Sequence, residues 1–432
     1  MFCSITWQIL ALLLVFLIGC FGAERAKETG PSDPIQALKH RLSTFRGLEF
    51  TSEVPILIED AENFKKRIDG SLVEDLRERR LADQSLAYAK LGLLPSGVDL
   101  RSTLLNLYSS RASGFYDSRR KRIVLLKGEK PDRRPDSPFG EGIDARVVVH
   151  ELTHALQDQH FGLSEKLRLS SNSDKILALR SVAEGDAILS EYAYAFRGLH
   201  EWVPAHVLQI FDSKVEAPEL SAVPPLIRDK LRFQNSAGLS FISRLVGNNG
   251  WLPINLIYKY PPSSEQVLHP EKYFESPDPP TRINLKNLPG LFSPEWREIE
   301  NDTLGELMVH CLFKGFLGPE EAARVANGWD GDRFVAYRRG NEIAFVWATI
   351  WDSEKDAQDF FERYQRIQSI KANSRSLPKG GFYIDRRKRI VLVVEGLEAE
   401  GIKRNIETIW AEMVLEEENF QPLPFGLWIS SR

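Results

Sequence analysis

Hydrophobic and polar positions follow two different periods along this 432-residue chain, and the changes of period mark its elements. Val54 to Ile58 and the residues up to Leu93 read as a strand followed by helices. Gly114 to Leu126 reads as a β-hairpin, two apolar runs around the charged turn Ser118-Arg119-Arg120-Lys121-Arg122. From Asp174 to Phe196 the residues Ile176, Leu179, Ala183, Ala187 and Ser190 recur near one helix face, and Gly198 is a stop. Beyond Asp302 the order changes. Pro319 to Ala326 is helical, Arg333 to Arg339 and Glu342 to Trp351 are paired strands, and Lys355 to Ile370 is an amphipathic helix. A second hairpin from Gly381 to Leu392 and a helix near Lys403 to Met413 complete an antiparallel, ferredoxin-like α+β unit. The expected fold class is α+β throughout.

The two hairpins share the string Arg-Arg-Lys-Arg-Ile-Val-Leu, at 119–125 and at 386–392. Two independent hairpins with solvated turns account for it better than paired basic patches. One short match does not establish a duplicated domain.

Composition adds boundaries. The apolar run Ile9 to Gly19 ends in Leu17-Ile18-Gly19-Cys20, similar to a lipobox with Cys20 as the acylated residue. Cleavage near Ala23 would instead free a secreted or periplasmic form, and Phe2 to Ala23 is long enough to stay as an uncleaved anchor. All three readings export the protein. Residues 1–22 are thus expected as a leader, 23–45 as a polar tether, 46–300 as one domain and 301–432 as a smaller one. Cys3 and Cys20 belong to the leader, which leaves Cys311 with no internal disulfide partner. A net charge of −4 argues against nucleic acid as a partner.

The chemistry concentrates at His150-Glu151-Leu152-Thr153-His154. On a helix, positions four apart fall about 40° apart around the axis, so both imidazoles point the same way. Two neutral imidazoles suit a borderline-soft cation such as Zn²⁺, and Glu151 can take a proton from a water held beside them. The flanks, Val147 to Val149 and Ala155-Leu156, are apolar, as a buried helix would need.

A catalytic zinc site needs a third protein ligand. His160 extends the motif toward the metzincin spacing, but Gln157 stands where that pattern has its turning glycine, and no Met falls between His154 and Met308. If the helix continues, His160 points about 240° away from His154. Glu184, in Ala183-Glu184-Gly185-Asp186-Ala187, is the favoured ligand, carried on a second helix packed against the first.

His150 to Phe161 (HELTHALQDQHF) followed by Ala183 to Ala187 (AEGDA) resembles a bacterial family of secreted or lipid-anchored, gluzincin-type metallopeptidases. Gly114-Phe115-Tyr116-Asp117, Pro262 to Pro270 and Gly328 to Phe334 are similar to the same family. The resemblance implies a gluzincin-like domain, a mixed sheet with an active-site helix and a Glu-bearing helix, and zinc held by His150, His154 and Glu184. In better-known gluzincins an Asp four residues past the ligand Glu orients a ligand histidine. That position here is Ile188, and Asp186 lies about 200° around the helix from Glu184. Asp158 or Glu191 is expected to take over that duty.

His269, with Tyr273 four residues later, is the candidate donor to the oxyanion formed when water attacks a carbonyl; a structural loop is the competing reading. The hairpin ahead of the zinc helix is where such enzymes pair with an extended substrate, and the loop Glu129 to Gly142 would border the cleft. The expectation is an exported zinc peptidase acting on protein or peptide, with Glu151 as general base and the membrane reached through the leader. The rival is a non-enzymatic envelope lipoprotein in which zinc staples two helices; Glu151 and the three-ligand count stand against it.

Overall fold

In the computed structural model the described residues are 33–76, 78–128, 143–198, 220, 223–245, 250–286, 288, 293–373 and 381–417. The leader, residues 23–32 of the tether and the loop 129–142 lie outside them. The chain divides into two compact units, residues 1–38 and residues 39–432. Part of the expected tether is ordered as helix: Pro34–Arg46 is α1. Its polar composition misled because Arg46 and Lys39 are buried in ion pairs, not solvated.

A small sheet comes first. Strand β1 (Ile56–Glu59) is followed by helices α2 (Ala61–Leu76), α3 (Glu78–Leu91) and α4 (Leu100–Arg111), then by the hairpin β2 (Gly114–Asp117) and β3 (Arg122–Leu126). The order is β1-β3-β2, with β1 parallel to β3 and β2 antiparallel to it, so β2 is an edge. Lys121 takes a positive φ in the hairpin turn, and Lys388 does so at the same point of the second hairpin, so the shared string forms the same turn twice.

Helices α5 (Ala145–Phe161), α6 (Leu163–Leu169) and α7 (Ser173–Ala195) follow. Helix α7 is buried on nearly every side despite carrying Asp174, Glu184, Asp186 and Glu191. Next come α8 (Pro225–Arg232), a π-helical turn at Phe233–Ala237, α9 (Gly238–Ser243), α10 (Leu252–Ile257), α11 (Ser264–Leu268) and α12 (Glu271–Phe274). Helix α9 crosses α7 glycine on glycine. A Cβ on Gly238 would lie 2.0 Å from the Ser181 carbonyl oxygen, and one on Gly185 would lie 2.5 Å from the Gly238 backbone. No other residue fits that crossing.

The remaining elements are β4 (Arg282–Leu285), β5 (Arg297–Asp302), α13 (Glu306–Leu317), α14 (Pro319–Ala326), β6 (Trp329–Arg339), β7 (Glu342–Trp351), α15 (Glu354–Asn373), β8 (Gly381–Arg387), β9 (Ile390–Leu397), α16 (Ala399–Glu412) and β10 (Met413–Glu416). Five of these strands form an antiparallel sheet in the order β5-β6-β7-β9-β8, and β10 pairs with β4. One face of the sheet, with Phe334, Phe345, Trp347 and Val393, joins the largest hydrophobic core. The other face, with Val335, Val346 and Leu392, packs with Ile402, Ile406 and Ile409 of α16. Both faces being covered, β7 reads as a continuous apolar run. The largest core contains residues from Leu81 to Val393, so the boundary expected at residue 300 runs through a shared core.

Two stretches singled out in the sequence serve this architecture. In Gly328 to Phe334, the buried Asp332 accepts from the backbone N–H groups of Leu304 and Gly305 and from the indoles of Trp329 and Trp347. In Pro262 to Pro270, Ser263 and Gln266 form a capping box, and Ser264 N–H donates to Asp174 at the start of α7. Asp302 binds the Ser173 N–H at 2.7 Å, so α7 is tied down at its first turn from two directions.

Candidate metal centre

Helix α5 begins at Asp144, whose carboxylate caps the Arg146 N–H, and ends at Gly162 in the left-handed region. Between them the helix is unbroken, so His150 and His154 stand one turn apart on one face, their Nε2 atoms 3.2 Å apart. Helix α7 packs across α5 and brings Glu184 to the same point. Its carboxylate oxygens lie 3.5 Å from His150 Nε2 and 3.8 Å from His154 Nε2. All three donor atoms lie within 4.8 Å of one another. The sequence-expected trio therefore converges.

His160, on the same unbroken helix, faces elsewhere and donates from Nε2 to the Glu49 carbonyl at 2.7 Å. That contact closes the metzincin-like alternative.

The donors fit a tetrahedral cation. Two Zn–N bonds of about 2.05 Å at a tetrahedral angle place their nitrogens about 3.3 Å apart, close to the spacing seen here. The tautomers fit as well. Gln157 is fully buried, and its amide nitrogen donates to the Ala183 carbonyl at 3.0 Å and to Asp186 Oδ2 at 2.9 Å. Its oxygen is left to accept from His154 Nδ1 at 2.9 Å, so His154 Nε2 presents a lone pair to the cluster. His150 Nδ1 lies 3.6 Å from Glu191 Oε2, which favours the same tautomer.

Gln157 also links the cluster to a buried ion pair. Asp186 receives Arg46 at 2.9 Å and the Tyr258 hydroxyl at 2.8 Å, both Arg46 and Asp186 being wholly buried. Arg46 stacks over the Trp251 ring at 4.3 Å and donates to Asn255 Oδ1 at 3.0 Å. Asp186 is thus off the metal-facing side, as its position two residues past Glu184 requires, yet it reaches a ligand histidine through one amide. Sequence reading missed this because Gln157 drew notice only as an absent glycine. Of the two carboxylates expected to orient a ligand, Glu191 is beside His150. Asp158 is not: it binds Lys121 at 2.5 Å, the Tyr116 hydroxyl at 3.0 Å and Ser164, clamping the hairpin to α5.

The charges are matched for cation binding. Burial raises the Glu184 carboxyl, but His154, His150 and Arg180 outweigh it and hold the group down at about 2. Burial lowers the His150 imidazole, but Glu184 and Glu191 outweigh it and leave it well above the ordinary histidine value. Glu151 is 7% exposed, and burial pushes its carboxyl above the usual carboxylate range against the opposing pull of His150 and His154. Its other neighbour is the backbone of Tyr116 in β2, hydrogen-bonded to the carboxylate. Strand β2 lies against α5: a Cβ on Gly114 would lie 3.2 Å from Val147.

The expected oxyanion donors have other commitments. His269 Nε2 lies 2.9 Å from Glu306 Oε1, and the Tyr273 hydroxyl donates to the Tyr260 carbonyl from a ring buried against Phe241 and Phe274. These partners are the ones the structural-loop reading expects, and none of them belongs to the histidine–glutamate cluster. A second acidic trio, Glu265, Asp278 and Asp352, surrounds the Lys272 ammonium at 2.5, 3.1 and 2.7 Å, so a cation of the chain already sits among them.

Residues 293–405 match a family model described as a domain of unknown function, DUF8575. The match covers the five-stranded sheet and its helices, beyond the histidine–glutamate cluster in sequence. No curated protein and no solved structure matches the chain.

Proposed function

We propose that the protein is an exported zinc-dependent peptidase of gluzincin-like organisation, its C-terminal ferredoxin-like part serving substrate or partner binding. The observation that carries this reading is the convergence of His150, His154 and Glu184, with a buried acid, Glu151, beside both the cluster and a strand that is an edge among the described residues. His150, His154 and Glu184 would hold the metal, which when bound supplies Lewis acidity and a water that ionises near neutral pH.

The chain's own residues account for the rest. Glu151, its affinity for a proton raised by burial, takes the proton of the attacking water and later passes it to the leaving amine. The outer edge of β2, Gly114–Asp117, which has no strand partner among the described residues, offers the backbone groups that Glu151 does not engage to an extended peptide beside that carboxylate. Gln157 and Glu191 keep both imidazoles in the tautomer that presents Nε2. The leader, 1–22, would deliver the protein to the cell envelope, anchored through Cys20.

Glu151→Gln tests the reading, because it keeps the shape and removes the base. Peptide cleavage is expected to fall by about 10²–10⁴-fold with zinc content unchanged. Wild-type turnover in the zinc-loaded variant would sink the mechanism. A Glu151→Ala protein with an unaltered cell phenotype, beside a His150→Ala protein that unfolds, would favour the non-enzymatic, zinc-stapled envelope protein.

A further inference from the structure

Arg180 is the least explained charge near the cluster. It stands one turn ahead of Glu184 on α7, and Arg180, Glu184 and Glu191 fall within about 40° of one another around the helix. Its side chain is half-buried, yet among the described residues it makes no hydrogen bond or ion pair. Arg146, half-buried on α5, is by contrast committed to Asp144. A guanidinium brings five donors, and those of Arg180 are not among the buried groups left without a partner, so they reach solvent and are open to a ligand's acceptors.

Two further groups lie within its electrostatic reach. Lys230, on α8, is also half-buried, rests 5.6 Å over the Tyr88 ring, and makes no hydrogen bond or ion pair among the described residues. Tyr108, on α4, is half-buried with no hydrogen bond from its hydroxyl among the described residues. Arg180 acts electrostatically on Lys230, on Tyr108 and on Glu184, and Lys230 is also within electrostatic reach of Asp302 and Glu300. Glu184 attracts it but is shared with His150 and His154, which the carboxylate oxygens approach to 3.5 and 3.8 Å.

We infer that Arg180, supported by Lys230 and Tyr108, is a specificity subsite for a carboxylate of the peptide substrate. The inference rests on the peptidase reading and narrows its substrate class. One helical turn spans about 6 Å, and the arginine side chain adds a similar reach, so the carboxylate would sit within two or three residues of the scissile bond in an extended peptide. Two sources carry that group, a free C-terminus and an Asp or Glu side chain.

Binding is measured by calorimetry on zinc-loaded Glu151→Gln protein, which needs no turnover. Three versions of one short peptide are compared: free acid, C-terminal amide, and amide with one Glu near the middle. At least one carboxylate-bearing peptide is expected to bind about tenfold or more tightly than the plain amide, and Arg180→Met is expected to erase that difference while Arg180→Lys keeps part of it. Which peptide gains identifies the source. Equal binding of all three overturns the subsite, and so does a preference that survives in Arg180→Met, since the carboxylate would then be held by the metal. Zinc content and circular dichroism of each variant separate misfolding from loss of the subsite. A protein that shows the Arg180-dependent preference but cleaves no peptide as wild type keeps the subsite and loses the peptidase reading.

Discussion

Replacing Gln157 by Leu isolates what the buried amide does for the histidine beside it. Leucine fills similar volume, so the change removes three hydrogen bonds, at 2.9, 3.0 and 2.9 Å, with little change in packing. Asp186 keeps Arg46 and Tyr258, so its charge stays paired. The His154 Nδ1–H loses its acceptor inside the protein, a penalty of about 1–3 kcal/mol. The second effect falls on the metal. With no acceptor at Nδ1, the imidazole is free to take the other tautomer or to turn, and zinc affinity should fall by about 10–100-fold, or roughly 1.4–2.7 kcal/mol. Competition against a fluorescent chelator reads the affinity, and calorimetry of the zinc-free and zinc-loaded proteins reads the two melting temperatures. The zinc-free difference reports the lost hydrogen bonds, and the additional difference on loading reports the metal. Zinc affinity within twofold of wild type, with melting lowered equally in both forms, would show that Gln157 only braces the two helices.

Three other outcomes test separate parts of the structure. His160→Ala should leave zinc stoichiometry and affinity unchanged, because His160 is spent on the Glu49 carbonyl; loss of zinc in that variant would revive the metzincin-like ligand set. Gly238→Ala should destabilise by about 2–4 kcal/mol in denaturant titration, since the added carbon meets the Ser181 backbone, and an unchanged midpoint would mean that α7 and α9 do not cross there as described. Asp174 is pushed up to about 7 by burial, so between pH 4 and 7 the folded protein holds a proton that the unfolded chain releases. Stability contributed by that proton is present at low pH and lost as pH rises to 7, by up to roughly 4 kcal/mol. Asp174→Asn should therefore melt higher than wild type at pH 8 and gain little at pH 4; melting curves that run parallel across this range would refute the assignment.

The parts of this molecule that a local period can encode were legible in the chain. The spacing of His150 and His154, the long helix bearing Glu184, both hairpins and the paired strands before Trp351 follow from patterns a few residues wide. What those patterns lacked were the partners. Asp186 is explained by Arg46, 140 positions earlier, by Gln157, 29 positions earlier, and by Tyr258, 72 positions later. The 34–46 helix looked like a tether because its cations match acids and carbonyls that lie far off in sequence. The same blindness sent His269 and Tyr273 toward chemistry: a His and a Tyr in a polar loop carry no local sign that Glu306 and the Tyr260 carbonyl already occupy them.

That contrast also bears on which stretches of the resemblance concern reaction and which concern shape. Gly328 to Phe334 and Pro262 to Pro270 contain acids and a histidine, the residue types that invite a catalytic reading. Yet Asp332 gathers four N–H donors, Asp330 holds Thr281, and Ser264 ties the loop to Asp174, so their polar groups are consumed in holding the frame together, the last of them at the start of α7. Glu184 lies three turns along that same helix, and its distance to the imidazoles depends on where the helix begins and how closely α9 lets it lie. A variant such as Asp332→Asn, which removes a charge from four N–H donors some distance from the cluster, should therefore lower stability first and alter zinc affinity only as α7 shifts. Gln157→Leu should do the reverse, with the metal affected more than the fold. The ratio of the two losses, measured in both variants by the same competition and melting assays, distinguishes residues that build the frame from residues that set the ligands.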